Sequence, residues 1–195
     1  METLDEYAAA PRDPPRSLSG IDDRFYEALL RDFSAWPEEA LEDRELRDEC
    51  RRLLEREARL LDEARFEQWL ELYARDCLYW IPAAARPGDP RREVAIAFDD
   101  RRRLEERVFR LRSGYAWSQL PPSRTVHHVS NVELFAGLRV RCNLLVSEFR
   151  AGETRLWAGW CGYRLGRRGA QLEIEVKQVN LIDRDQNLRN PSIVL

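Results

Sequence analysis

The stretch "EARLLDEARFEQWLELYARDCLYWIP", residues 57–82, changes its hydrophobic rhythm partway through, and that change sets the order of the fold. Its first part continues a face on which Leu46, Cys50, Leu53, Leu54 and Leu61 recur at helical spacing. Asp62 then stands where a carboxylate caps a new helix, and Phe66, Trp69, Leu70 and Tyr73 follow at i, i+3, i+4 and i+7. "CLYWIP" reads differently, as a strand closed by Pro82. Helices therefore precede the sheet.

Outward from that stretch the same order holds. A helix is expected over Ile21–Phe33, and "WPEEALED" starts a second with Pro37 in its first turn. "EVAIAF" follows the loop "AAARPGDPRR" as a further strand. Asp99 or Asp100 caps a helix that turns Leu104, Val108 and Leu111 inward and ends at Gly114. Alternating runs at about 125–135, 138–150, 155–165 and 170–182, separated by "AG", "AGET" and "GRRGA", predict four sequential strands in an antiparallel meander. In the last run Leu172, Ile174 and Val176 share one parity while Val179 and Leu181 share the other, which predicts a β-bulge near Lys177 and Gln178. Glycines 152, 159 and 162 help such a sheet curve. The class is α+β, one domain over 36–195 preceded by an N-terminal arm and short helix over 1–35.

Composition narrows the function. The 195 residues are 44% hydrophobic and 34% charged, the balance of a globular chain with a solvated surface. Thirty-two Lys+Arg against 35 Asp+Glu leave a net charge of −3, so a nucleic-acid partner is not expected. "METLDEYAAAPRDPPRS" lacks the order of a secretory signal and no apolar run is long enough to cross a bilayer, so a cytoplasmic location without membrane contact is expected. Cys50, Cys77, Cys142 and Cys161 form no C-x-x-C pair and read as buried thiols.

Three groups of residues invite a chemical reading. His127 and His128 are the only histidines, and neighbours on a strand point to opposite faces, so the two do not share a metal ion. A two-histidine iron site is not expected, and the Cys–His pairs of a Rieske cluster are missing. One ring is expected in the core and the other toward solvent or a partner. The second group is Tyr73, Asp76 and Tyr79 with the inward histidine, assigned to His128, as acid–base residues of a pocket between helices and sheet. Such residues more often cap and pack. The third is "RRRLEERVFRLR", residues 101–112, whose six arginines project from a helix and favour desolvated pairing with a partner's carboxylates. Gly-rich nucleotide loops and a nucleophile elbow are absent.

Residues 57–82, together with "DDRRRLEERVFRLRSGYAWSQLPPSRTVHHVSNVEL", resemble the small (beta) subunit of aromatic-ring-hydroxylating dioxygenases. Glu57, Leu60, Leu61, Asp62, Trp69, Leu70, Asp76, Tyr79 and Pro82 carry the first block. Leu104, Arg107, Val108, Arg110, Leu111, Ala116, Trp117, Pro121, Ser123, Arg124, His127 and Asn131 carry the second. The tail "VNLIDRDQNLRNPSIVL" is similar to the family's ending, so the resemblance covers roughly residues 41–195. It departs at "GWCGYRLGRRGAQLEIE", where the family often has a basic run containing aspartate.

The resemblance implies a nuclear-transport-factor-like cone, with N-terminal helices packed on a strongly curved, mostly antiparallel sheet. It also implies a non-catalytic subunit of a multicomponent oxygenase: three such chains, associated as a trimer, support three alpha subunits. Those partners carry the Rieske [2Fe–2S] cluster and the mononuclear Fe(II), and ferredoxin and reductase serve the complex indirectly. No catalytic, cofactor or metal residue is expected in this chain. Arg101, Arg107, Arg110, Trp117, Arg124 and His127 are its candidate subunit contacts, with Arg124 offering a bidentate donor to a carboxylate. The competing expectation is a stand-alone dehydratase or isomerase using Tyr73, Asp76, Tyr79 and His128.

Overall fold

The computed structural model describes residues 22–84, 88–186 and 193–195. The elements are α1 (Asp23–Phe33), α2 (Arg44–Asp62), α3 (Phe66–Leu70), β1 (Tyr73–Pro82), β2 (Ala95–Asp100), α4 (Arg101–Ser113), β3 (Arg124–Phe135), β4 (Arg139–Arg150), β5 (Glu153–Arg168) and β6 (Gln171–Leu181). Residues 1–20, expected to form an arm, lie outside the described residues.

Three of the four helices begin on an aspartate whose carboxylate accepts an otherwise unpaired backbone N–H: Asp22 from Phe25, Asp43 from Leu46 and Asp100 from Arg103. Gly114 ends α4 in the left-handed conformation at φ 75°, the expected stop. The second helix starts at Arg44, seven positions after Pro37, because Asp43 supplies the cap that Pro37 does not. Asp62 is the last residue of α2 and caps nothing. The chain reverses at Ala64 (φ 53°), α3 runs for only 5 residues, and Tyr73 opens β1 instead of extending a helix.

The sheet order is β2-β1-β6-β5-β4-β3. Strands β3 to β6 form the expected antiparallel meander, β6 then lies parallel to β1, and β2 returns antiparallel along β1. Arg164 pairs with Val176 and Leu165 with Ile174, so the bulged residue is Glu175, two positions before the expected site. The reason is that both faces of the sheet are covered here. Val176 packs outward with Leu29 and Phe33 of α1, and Lys177 is the residue that turns inward.

On the inner face α2, α3 and α4 bury Leu54, Trp69 and Leu104 against Tyr79, Val146 and Val179. On the outer face α1 packs on Leu78, Trp80 and Val176. Gly162 is required where Trp36 crosses that face, since a Cβ there would meet the Trp36 ring and Phe33. Residues 22–35 therefore pack as part of the body. All four cysteines are free and buried, and Cys142 and Cys161 face each other across β4 and β5.

Candidate functional site

Between helices and sheet, where a pocket was expected, the interior holds an ion pair. Glu57 sits on α2 among the buried positions Cys50, Leu54 and Leu61, so its carboxylate points into the core. Lys177, brought inward by the bulge at Glu175, places Nζ 2.9 Å from Glu57 Oε1. Tyr73 donates to the same oxygen at 2.6 Å, Trp69 Nε1 at 3.2 Å, and Tyr163 donates to Oε2 at 2.9 Å. Burial pushes the Glu57 carboxyl up, but the Lys177 charge and these hydrogen bonds overcome it and hold the group below its ordinary value. For Lys177 burial acts downward and Glu57 outweighs it, so the ammonium is held above its ordinary range. Burial, then the Glu57 charge, pushes the Tyr73 hydroxyl well up. Every polar group in this cluster is matched inside the chain.

A second polar group ties α2 to β3. Asp62 accepts from His127 Nδ1 at 2.6 Å, from the His127 backbone N–H at 3.0 Å and from the Thr125 hydroxyl at 2.9 Å. Burial opposes the charge, and the His127 contacts overcome it to hold the Asp62 carboxyl below its ordinary value. The His127 side chain is 2% exposed and its Nε2 has no partner among the described residues.

The expected pocket residues do not come together. Tyr73 and Tyr79 are buried, the latter bonded to Leu195 with its hydroxyl pushed up to about 12 by burial. Asp76 and His128 are exposed. The pleat puts His128 on the outer face with Val126, and His127 is the inward ring. Glu57 and Lys177 take the place in the core that Asp76 and His128 were expected to fill.

The expected subunit contacts divide as well. Arg101 bonds to Glu105 and to the carbonyls of Leu70 and Tyr73, and Arg107 pairs with Asp99. Arg102, Arg103 and Arg112 likewise bond to Glu106, the Phe98 carbonyl and Glu67. Five of the six arginines on α4 thus have partners within the chain, and Arg110 is left exposed. Trp117 is 79% exposed, Phe109, Tyr115 and Leu120 are exposed too, and the Phe109 and Tyr115 rings stack on each other. Sequence reading missed Phe109 and Tyr115. Among the described residues Arg124 meets no carboxylate; its guanidinium lies 4.6 Å from the centre of the Phe149 ring. His127 faces α2.

Neither a Rieske cluster nor a two-histidine iron site fits the described residues. The two histidines face apart, Asp62 occupies His127 Nδ1, and among the described residues no three His, Cys, Asp or Glu side chains gather as metal ligands. No helix among them is long and apolar enough to cross a membrane.

Fold and interior define a cone-shaped α+β domain whose core contains a buried ion pair. A family profile described as "Ring hydroxylating beta subunit" matches residues 56–186. The small oxygenase component of the p-cumate 2,3-dioxygenase system of Pseudomonas putida is 34% identical over 138 residues, 68% of this chain and 77% of that one. The 2-halobenzoate 1,2-dioxygenase small subunit of Burkholderia cepacia is 44% identical over 84 residues, covering 40% of this chain and 51% of its own length. Among solved structures, the beta subunit of benzoate 1,2-dioxygenase from Burkholderia mallei superposes with a TM-score of 0.58 at 26% identity, over 72% of this chain and 94% of that one. The chain belongs to the family of ring-hydroxylating dioxygenase beta subunits.

Proposed function

We propose that this chain is a non-catalytic subunit that holds the catalytic alpha subunits of a cytoplasmic Rieske aromatic-ring dioxygenase in register. Three copies, self-associated as a trimer, support three alpha subunits. The [2Fe–2S] cluster and the Fe(II) belong to those partners, which receive electrons through a ferredoxin and a reductase. The observation that carries this reading is the use made of the cone's interior. Glu57, Lys177, Tyr73 and Tyr163 bond to one another, so the acid and base groups that a cone-fold enzyme would offer to substrate are committed to structure.

The exposed surface of Trp117, Phe109 and Tyr115, with Arg110 and Arg124 nearby in sequence, supplies the apolar and cationic contacts of a subunit interface. Arg101, Arg107 and His127 contribute from within by fixing the elements that carry it. Co-expression with the alpha chain tests the reading: a larger chain bearing C-x-H and C-x-x-H cluster ligands should purify with this one in equal amounts, and isolated recovery of this chain would contradict it.

A further inference from the structure

The chain between α4 and β3, "GYAWSQLPPSRT" (residues 114–125), does not take its shape from backbone bonding alone, because Pro121 and Pro122 have no N–H to give. A single turn covers its middle, closed by the Gln119 N–H on the Ala116 carbonyl at 2.7 Å and the Leu120 N–H on the Trp117 carbonyl at 3.2 Å. The rest is held from β4. On the inner face of that strand Cys142, Leu144 and Val146 are apolar, and Glu148 and Arg150 continue the same alternation. Ser123 donates to Glu148 Oε1 at 2.5 Å, and Trp157 Nε1 donates to Oε2 at 2.8 Å. Arg150 donates from Nε to the Pro121 carbonyl at 3.2 Å and from Nη2 to the Leu120 carbonyl at 3.3 Å. Glu148 is 1% exposed, and burying a carboxylate is costly unless such bonds offset it.

The polarity of the segment is reversed. Gln119 is buried and Ser123 half-buried, whereas Tyr115, Trp117 and Leu120 are 66%, 79% and 52% exposed. Large apolar side chains left to water favour the opposite placement, so the ties to β4 are what keep them outside. An exposed tryptophan fixed in advance suits a protein partner, because the ordering of a loop is then met before the partner arrives.

We propose that Glu148 and Arg150 are positioning residues that hold residues 115–121 ready for the alpha subunit. Trp117, with Tyr115 and Leu120, makes the contact. Glu148 and Arg150 act through the loop, from the strand behind it. The inference rests on the reading of this chain as the assembly subunit of a dioxygenase.

A double-mutant cycle on the full chain, titrated calorimetrically against purified alpha subunit, tests it. Ser123→Ala with Arg150→Ala removes the ties of the loop while the Glu148–Trp157 bond stays, and should weaken association roughly tenfold. In a Trp117→Ala background the same two substitutions should cost less than about twofold more, because the anchor they position is already gone. Glu148→Ala should reproduce the loss, and Glu148→Gln, whose amide oxygen still accepts from Ser123, should recover most of the affinity. Equal losses in both backgrounds would show that these residues act through the stability of the whole chain, and no loss in either would show that the loop needs no support; each result overturns the inference. Unchanged association of Trp117→Ala alone would instead contradict the interface reading and remove the inference with it, so the two failures are distinguishable.

Discussion

Lys177 Nζ stands 2.9 Å from Glu57 Oε1 with both side chains 2% exposed, which joins the middle of α2 to the strand that lies parallel to β1. Removing either charge leaves the other buried and unpaired, so Glu57→Gln and Lys177→Met should each cost about 3–5 kcal/mol in urea unfolding. The double variant should lose less than the sum, because neither charge then stays behind. Strictly additive losses would show that the two side chains do not act as a pair.

The pH dependence follows from the directions of the shifts. The folded Glu57 and Asp62 carboxyls lie below their ordinary values of 4.5 and 3.8. Their stabilisation is fully present above those values and is lost as pH falls through the lower folded ones. Lys177 lies above its ordinary 10.5, so its contribution is present below that pH and is lost as pH rises through the higher folded value. Urea midpoints measured from pH 6 down to about pH 2 should therefore fall, and Glu57→Gln should flatten the decline. An acid limb of unchanged steepness in that variant would assign the decline to other groups.

Asp62 holds Thr125 and His127 at the open edge of the sheet. Asp62→Ala should cost about 1–3 kcal/mol by leaving these donors unmatched, and should speed amide exchange at His127 before the rest of β3. Unchanged protection of that amide would mean that α2 and β3 are held by apolar packing alone.

These two carboxylates also mark where sequence reading stopped. The sequence pattern placed α1 and the meander, Asp99 or Asp100 as a cap placed α4, and the parity change in 170–182 required a bulge. Its position was missed because α1 covers the outer face, so Val176 is apolar without pointing into the cone. Glu57 follows the Cys50, Leu54 and Leu61 spacing, and Lys177 is the chain's only lysine, in an apolar strand. Either could have suggested a buried charge; only the parallel pairing of β6 with β1 shows that they meet. Asp62 reads equally well as the cap of a following helix or as a contact to a distant strand, and a separation of 65 positions hides the second.

Trp117 is exposed and carries little of the fold. Trp117→Ala should change stability by less than about 0.5 kcal/mol while weakening association with the alpha subunit by roughly tenfold or more. Equal affinity of wild-type and variant for purified alpha subunit would remove this surface from the interface.

In the function proposed above, this chain contributes to turnover only through assembly. The direct measurement compares the size and the dioxygenase activity of cluster-loaded alpha subunit with and without this chain. Alpha alone should fail to form the complete oligomer and turn over poorly, and adding this chain should restore both, including with Asp76→Asn or His128→Ala. Full assembly and full activity of the alpha subunit alone, or collapse of activity in those two exposed variants while assembly persists, would contradict it.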